Sequence, residues 1–377
     1  MSEVRIPILD LRAQYATIAT DVQAAIHRVI ESQHFILGPE VEAFEREVAA
    51  YLGVRHAIGV ASGTDALALS LMALGVGPGD GVITTPMTYF ATAETIARVG
   101  AQPIFVDVKD EDLNLDPELV ERAFKTSPVR VRAVMPVHLY GRACDIEAIL
   151  AIARKHDAFV IEDTAQALGA KKNGRHAGTF GDLGCYSFFP SKNLGAFGDG
   201  GLITAERDDL GERLKRLRVH GQKARYMHDE LGLNSRLDAV QAAILRVKLP
   251  HLDTWNQGRR ERVRAYRKAF EGAPVRCMPE DGDGREDIFH LCVVRVPAHK
   301  RDGLAPHLAK HGIQAIVHYP KALHEQPVFT HLGYKLGDFP VTEAACREVI
   351  SLPLYPELSD AAVAEIAGLV RDFVTAP

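Results

Sequence analysis

One lysine lies in surroundings that favour amine chemistry. Lys192 stands in the stretch CYSFFPSKNLG, and Gly195, Gly198, Gly200 and Gly201 follow it. Most lysines are solvated, so a surface position is the simplest interpretation. Apolar neighbours, however, would lower the pKa of the amine from about 10.4, and a neutral amine can form a Schiff base with a carbonyl. We therefore predict that Lys192 is a nucleophile. The glycines would let backbone approach its ligand, although an ordinary turn explains GDGG equally well.

Pyridoxal phosphate is a cofactor with such a carbonyl, and its phosphate needs a binding site. The run AIGVASGTDALALSL indicates a strand, a turn and a helix, so the N–H groups of Gly63 and Thr64 would face an anion at the start of a helix. Capping of that helix by Ser62 or Thr64 explains the same turn equally well. Ser187, shortly before Lys192, would add a hydroxyl to the phosphate site.

The cofactor ring needs a partner for its nitrogen and a flat neighbour. The run FVIED ends in Glu162 and Asp163, and the ligands of open α/β sheets collect beyond the carboxyl ends of the strands. Asp163 would keep the ring nitrogen protonated, Gln166 would donate to the ring hydroxyl, and Tyr89 would stack on the ring. An acid that caps the next turn, or an aromatic residue of the core, explains each feature taken alone.

Motifs for metals and dinucleotides are weaker. LGVGPGDG has alternating glycines, but it follows a helix and precedes a strand, the reverse of a dinucleotide fingerprint. His307 and His311 are four residues apart in HLAKH, yet no third ligand is evident, so a solvated helix face is expected and no metal site is predicted. The five cysteines lie far apart without a C-x-x-C, which indicates neither a disulfide framework nor a zinc knuckle.

The elements that position these residues alternate between strands and helices. Apolar runs such as GVITTP, QPIFVDV and AFVIED are separated by helical patterns, which predicts an α/β fold with a mainly parallel sheet flanked by helices. Pro250 is expected to break one long helical stretch, and IQAIVHYP is predicted as a strand. With 377 residues, we expect a large domain over residues 1–254, which begins with a helical segment, and a smaller C-terminal α+β domain over residues 255–377.

Composition narrows the partners and the location. A net charge of −5, with arginines scattered among acids, gives no basic footprint for nucleic acid, so a small molecule is the expected partner. The N-terminus MSEVRIPILDLRAQY lacks the apolar core of a signal peptide, and no apolar run approaches the roughly 18 residues of a membrane span. We expect a cytoplasmic protein without a membrane span.

Taken together, the motifs resemble one known family nearly end to end. They include FILGPEVEAFE, ASGTDAL, ITTPMTYFATAETI, IEDTAQALGA, SFFPSKNLGAFGDGG, LNSRLDAVQAAIL and VHYP, in the family's order. The chain resembles the DegT family of pyridoxal-phosphate-dependent sugar aminotransferases, whose fold is the fold-type-I transferase fold. This resemblance implies an enzyme that moves an amino group from glutamate to a nucleotide-linked keto sugar.

The resemblance also implies a role for each site residue. Lys192 would hold the cofactor as a Schiff base and carry protons during the reaction. The other cofactor-binding residues would be Gly63, Thr64, Tyr89, Asp163, Gln166, Ser187 and, from the neighbouring subunit of a homodimer, Asn234. The residues that contact the sugar nucleotide, also across the interface, would be Arg236, His318 and Tyr319.

The stretch IVHYPKALHEQPVF bears on where the sugar is aminated. VHYP followed by QP resembles the branch of the family that aminates C3 rather than C4, and His324 is expected on a loop as a further contact to sugar hydroxyls. His138, in PVHLYG, is similar to the residue in enzymes for dTDP-linked 3-keto-6-deoxyhexoses. Enzymes for UDP-linked 3-keto uronic acids tend to have serine there, although Arg236 would suit a uronic acid. The alternative for these histidines is simple packing.

Two other functions stay open. A related sugar dehydrase would remove a hydroxyl instead of adding an amine, but those relatives have histidine at the position of Lys192. A cofactor-binding regulator on the same scaffold would usually carry a basic DNA-binding segment, for which this chain has no spare residues.

Overall fold

The helices and strands lie within residues 4–280 and 282–376, which the computed structural model describes; residues 1–3, 281 and 377 of the expected domains fall outside those ranges. The strands are β1 His56–Val60, β2 Asp80–Thr84, β3 Gln102–Phe105, β4 Arg130–Val134, β5 Phe159–Asp163, β6 Lys171–Lys172, β7 Arg175–His176, β8 Leu183–Ser187, β9 Gly201–Ala205, β10 Gln222–Ala224, β11 Met227–His228, β12 Arg276–Cys277, β13 Arg285–Glu286, β14 Cys292–Arg295 and β15 Val349–Leu352. The α-helices are α1 Leu11–Ala16, α2 Ala19–Ser32, α3 Pro39–Leu52, α4 Gly63–Ala73, α5 Ala91–Arg98, α6 Pro117–Thr126, α7 Ile146–Lys155, α8 Asp208–Leu217, α9 Ala239–Lys248, α10 Leu252–Ala269, α11 Ala298–Lys310, α12 Pro340–Glu348 and α13 Asp360–Thr375. Short 3-10 helices cover Leu139–Gly141, Leu249–His251, Leu323–Glu325 and Pro327–Leu332. None of these helices is long and apolar enough to cross a membrane.

Seven strands form one sheet in the order β1-β9-β8-β5-β4-β2-β3. Six of them run parallel, and β9 runs antiparallel to both of its neighbours. The strands are almost entirely buried, which accounts for their nearly continuous apolar runs. The expected mainly parallel α/β sheet is confirmed.

Helix α4 packs against strands β8 and β9 of this sheet. Ser62 caps it, because the Ser62 hydroxyl accepts a hydrogen bond from Asp65 N–H at 3.1 Å. Every residue from Ala66 to Leu71 is buried. A helix that is apolar on all sides is enclosed by the core, so the N-terminus of α4 is held rigidly against the sheet.

The long helical stretch is broken where the sequence predicts. Helix α9 ends at Lys248, one 3-10 turn covers Leu249–His251, and α10 begins at Leu252. Pro250 has no N–H to donate, and its ring clashes with a preceding carbonyl in a helix interior. The break therefore follows from one residue.

A second hydrophobic core forms in the C-terminal part of the chain. It includes Tyr266, Leu304 and Val370, and the three-stranded sheet β12-β14-β15 lies in the same part of the chain. Ile6 packs into this core and forms a bridge with Ile313, although the sequence assigns Ile6 to the large domain. The division between residues 254 and 255 stays a prediction.

The predicted strand IQAIVHYP is wrong. Its backbone forms only isolated bridges, from Ile313 to Ile6 and from Ile316 to Ser351. Alternating apolar residues predict a strand, but they are also typical of an extended segment that forms only isolated bridges to other parts of the chain. The side chains of His318 and Tyr319 are therefore carried by irregular backbone.

Candidate active site

One cavity at the carboxyl ends of the strands collects most of the predicted site residues. Its volume is about 450 Å³, within the usual range for small-molecule sites. The predicted residues that line it are Gly63, Thr64, Tyr89, Asp163, Gln166, Ser187, Lys192, His318 and Tyr319. Asp163 and Ser187 are the last residues of β5 and β8, which are paired, so two neighbouring strands deliver them.

Lys192 is half-buried in this cavity. Its backbone N–H donates to Phe189 O at 2.8 Å, which places Lys192 in a turn after the aromatic residues. Burial lowers the pKa of its amine from 10.5 to about 8, while the negative charge of Asp163 acts in the opposite direction. Near neutral pH more of this amine is therefore uncharged than in a solvated lysine, and the uncharged form attacks carbonyls.

Helices α9 and α10 brace the turn that carries Lys192. The hydrogen bonds, at 2.6–2.7 Å, run from Lys248 Nζ to Gly195 O, from Phe197 N to Gln241 Oε1 and from Asn193 Nδ2 to Asn256 Oδ1. The turn is thus held from both sides of the break at Pro250.

The glycines after Lys192 let segments of the protein itself come close. A Cβ on Gly195 or on Gly201 would lie 2.3 Å from a backbone oxygen. Gly198 and Gly200 lie against side chains in the same way. These four glycines do not line the cavity, although Gly198 lines a pocket beside it, so their approach to a ligand stays a prediction.

The two acids at the end of β5 have different partners. Glu162 is fully buried and accepts hydrogen bonds from His138 and from three backbone N–H groups of residues 178–181, at 2.6–2.8 Å. Asp163 lines the cavity and accepts from Thr92 Oγ1 at 2.8 Å. Burial raises the pKa of Asp163, and the hydrogen bond from Thr92 opposes that shift. Glu162 anchors a turn, and Asp163 is the acid available to a ligand.

Two tyrosines hold Gln166 at the cavity. Gln166 Oε1 accepts from Tyr140 N–H at 2.8 Å, and Gln166 Nε2 donates to Tyr319 Oη at 3.0 Å. One N–H of the side-chain amide remains for a ligand. The Tyr140 hydroxyl donates to His318 O, so Tyr140 also ties Gln166 to the segment of His318 and Tyr319. Both of these residues line the cavity of their own chain, whereas the resemblance implies contacts across an interface.

The N-terminus of α4 forms another wall of the cavity. Ser62 caps the helix, yet no acceptor within the described residues takes the N–H groups of Gly63 and Thr64. A Cβ on Gly63 would lie 2.7 Å from the Cβ of Ser187, so glycine is what lets Ser187 approach the helix. Free N–H groups, a hydroxyl and the positive end of a helix suit a phosphate.

Tyr89 lies at the rim of the cavity. Its side chain is 62% exposed, and its ring centroid lies 6.4 Å from that of Tyr319. A ring with an open face is available to stack on a flat ligand. The alternative that Tyr89 is a core residue is therefore excluded.

Asn234 and Arg236 do not line this cavity. They line an open pocket of about 420 Å³ on the same chain, which we call the Asn234 pocket. Asp199 borders both the cavity and the Asn234 pocket, so the two are neighbours.

Of the three histidines that the sequence links to the sugar, only His318 lies in the cavity. His324 is 3% exposed, its ring packs against Phe339, and its Nε2 lies 3.2 Å from Glu343 Oε1. The predicted contact of His324 with sugar hydroxyls is not supported, because its apolar surroundings place it in the core. His138 is fully buried and donates to Glu162, so it does not line the cavity either.

Several further cavity residues have only weak signals in the sequence. They include Thr88, Thr92, Ser191, Asp199 and His290. Thr88 and Thr92 flank Tyr89 with the spacing of one helical turn, and His290 is a polar residue within an apolar run. These two patterns could have identified Thr88, Thr92 and His290.

The cavity fits pyridoxal phosphate. It offers an amine of lowered pKa for the carbonyl, a buried carboxylate for the ring nitrogen and a helix N-terminus for the phosphate. Within the described residues, no group of three or more histidine, cysteine, aspartate and glutamate side chains is arranged to hold a metal.

The sequence model of the DegT/DnrJ/EryC1/StrS aminotransferase family matches residues 16–371. The chain belongs to this family. The DegT/DnrJ/EryC1/StrS aminotransferases use pyridoxal phosphate, in agreement with the fit of the cavity. The chain is accordingly a pyridoxal-phosphate-dependent aminotransferase.

Relatives within the family cover nearly the whole chain. A pleiotropic regulatory protein of Geobacillus stearothermophilus is 47% identical over 98% of this chain and 100% of its own. The UDP-N-acetyl-3-dehydro-α-D-glucosamine 3-aminotransferase of Acidithiobacillus ferrooxidans is 44% identical over 97% of both chains. The dTDP-3-amino-3,4,6-trideoxy-α-D-glucose transaminase of Streptomyces venezuelae is 42% identical over 98% of this chain and 96% of its own.

A solved structure of the family shares the fold. The crystal structure of S. venezuelae DesV in complex with a ketimine intermediate matches with a TM-score of 0.94 and 41% identity, over 99% of both chains. The expected fold-type-I transferase fold is confirmed.

Proposed function

We propose that this aminotransferase moves an amino group from glutamate to the C3 keto group of a nucleotide-linked hexose. The observation that carries the proposal is the single cavity that Lys192, with its lowered pKa, shares with Asp163 and the N-terminus of α4. The A. ferrooxidans relative is named as a 3-aminotransferase of a 3-dehydro sugar, and the S. venezuelae relative as a transaminase for a 3-amino sugar; both names support the choice of C3.

We assign the cofactor contacts as follows. When bound, pyridoxal phosphate supplies a carbonyl that captures amines and a ring that withdraws electrons. Lys192 binds the carbonyl and, once released from it, holds and moves a proton at Nζ. Asp163 keeps the ring nitrogen protonated, Gln166 donates its remaining N–H to the ring hydroxyl, and Tyr89 covers the ring face. The phosphate is bound by Gly63, Thr64 and Ser187.

We propose a homodimer in which the sites are shared. Asn234 is exposed and Arg236 is half-buried, and both line the Asn234 pocket rather than the cavity of their own chain. Around a twofold axis, each Asn234 pocket would complete the partner's cavity, with Asn234 at the phosphate and Arg236 at the sugar nucleotide. His318 and Tyr319 would contact the sugar from within the cavity.

For the nucleotide we propose dTDP, carrying a 3-keto-6-deoxyhexose. The dTDP-named relative is 42% identical and the UDP-named relative 44%, so identity alone does not separate the two. A UDP-linked 3-keto uronic acid is the alternative in which Arg236 pairs with a sugar carboxylate. A 4-keto sugar is the alternative in which amination moves to C4.

We also propose a cytoplasmic location. The five cysteines are all free, and four of them are buried. Unpaired thiols suit a reducing compartment.

A second candidate function is regulation without turnover. The relative that is 47% identical is named a pleiotropic regulatory protein, which favours this candidate. The match of residues 16–371 to the model of an aminotransferase family opposes it.

One assay separates these candidates. The purified protein is incubated with glutamate and with 3-keto and 4-keto hexoses on dTDP and on UDP, and NMR locates the new amine. We expect nitrogen at C3, fastest with dTDP, and no product from a Lys192→Ala control. Nitrogen at C4 with inert 3-keto substrates would refute the position, and bound cofactor without any turnover would favour regulation.

A further inference from the structure

Two buried threonines connect helix α5 to the acid of the cavity. Thr92 Oγ1 donates to Asp163 Oδ2 at 2.8 Å, and Thr88 Oγ1 lies 3.0 Å from Thr92 Oγ1. Both threonines line the cavity. The cofactor contacts assigned above give neither of them a role.

The number of protons fixes the direction of this hydrogen-bond chain. A hydroxyl has one proton to donate, and an ionised carboxylate has none. Because Thr92 gives its proton to Asp163, the proton between the two hydroxyls comes from Thr88. The chain therefore runs from Thr88 through Thr92 to Asp163, and each hydrogen bond polarises the next.

The contact of Thr92 is more than local helix geometry. A threonine in a helix commonly turns its hydroxyl toward the carbonyl four residues earlier, whereas Thr92 reaches the end of β5, 71 residues away in sequence. The second oxygen of Asp163, Oδ1, accepts from Ala165 N–H at 3.2 Å. The carboxylate is thus held at both oxygens, which fixes its orientation in the cavity.

We propose that Thr92, supported by Thr88, is a positioning residue that orients the Asp163 carboxylate and keeps it ionised for the ring nitrogen of pyridoxal phosphate. The inference rests on the proposed role of Asp163 but not on the identity of the sugar. Burial alone favours the protonated acid, which is a poorer partner for a protonated ring nitrogen. A hydroxyl that donates to the carboxylate stabilises the ionised form.

The test compares Thr92→Val with Thr92→Ser in holoenzyme that contains pyridoxal phosphate labelled with ¹⁵N in its ring. Valine keeps the shape of threonine and removes the hydroxyl, whereas serine keeps the hydroxyl. In Thr92→Val we expect the ¹⁵N resonance to move toward that of an unprotonated ring. The cofactor Kd should rise about tenfold, because a carboxylate that is no longer oriented and kept ionised binds the ring nitrogen less well. Thr92→Ser should keep the wild-type resonance, with a Kd within about threefold.

A second variant, Thr88→Val, provides a test if Thr92→Val does not fold. Thr88→Val removes only the first donor of the chain and should move the ¹⁵N resonance in the same direction by less. An unchanged resonance in folded Thr92→Val, or in Thr88→Val if Thr92→Val does not fold, would overturn the inference. An unprotonated ring nitrogen in the wild-type holoenzyme would instead refute the role of Asp163, so the two failures are distinguishable, and no sugar substrate enters the measurement.

Discussion

The Lys192 cavity and the Asn234 pocket differ in how completely one chain builds them. In the cavity, Asp163 and Gln166 are held by side-chain and backbone hydrogen bonds of the same chain. In the Asn234 pocket, the side chains of Asn234 and Arg236 form no hydrogen bond or ion pair with the rest of the described chain. A guanidinium without a partner is available to a ligand from elsewhere. The difference indicates that one chain assembles the reaction centre, and that the neighbouring pocket is arranged for groups from outside it.

The largest effect is expected at Lys192. Burial lowers the pKa of both Lys192 and Lys248 to about 8, but only Lys192 lines the cavity, which makes Lys248 a matched control. Borohydride reduction should attach the cofactor to the peptide of Lys192, and Lys192→Ala should lower turnover about 10⁴-fold, to below detection, while the cofactor still binds. Mass spectrometry of the labelled peptides shows which lysine carries the cofactor. Label on Lys248 would contradict the assignment of the cavity.

The Asn234 pocket is tested by hybrids between two defective proteins. A Lys192→Ala subunit and an Arg236→Ala subunit each lack one half of the proposed shared site. If dimers exchange at random in an equal mixture, about a quarter of all sites would combine two undamaged halves. We expect activity to return to about that level. No recovery, with subunit exchange verified by mass spectrometry, would mean that each chain completes its own site.

The pH dependence of cofactor capture tests the lowered pKa of Lys192. Its amine attacks a carbonyl only when deprotonated, and its pKa is lowered from 10.5 to about 8. Below that pH, the rate at which apoprotein captures the cofactor should rise about tenfold per pH unit. Above it, the rate should level off, which stopped-flow absorbance measures. A rate that still climbs toward pH 10.5 would show that Lys192 is solvated.

The smallest effect on activity is expected at His324. His324 lies in the core and His318 in the cavity, so the two histidines form a matched pair. His324→Phe should leave KM for the sugar within about twofold and lower the melting temperature by a few degrees. His318→Phe should raise KM without such a change in stability. A larger rise of KM in His324→Phe would place that residue back in the binding site.

The sequence predicts the sheet and the cavity better than the direction of individual side chains. Strand alternation and the SFFPSKNLG motif are local patterns, and both identify elements that the structure contains. Glu162 and Asp163 are chemically alike and adjacent, so only the folded chain shows which of them has all its hydrogen bonds within the protein. The partner of Thr92 lies 71 residues away in sequence, a distance that no local pattern spans. The burial of His324 has no signal in the sequence, because the polar stretch HEQP is typical of an exposed loop.

Because the helical stretch is broken at Pro250, the number of residues between α9 and α10 decides whether both helices can support the turn that carries Lys192. Gln241 and Lys248 support that turn from before the break, and Asn256 supports it from after the break through Asn193. One residue inserted at the start of α10 would rotate Asn256 by about 100° around the helix axis and turn its amide away from Asn193, while the earlier supports stayed in place. The number of residues between Lys248 and Asn256 is therefore as constrained as their identity, and we expect an insertion or deletion in this stretch to disturb the turn that carries Lys192.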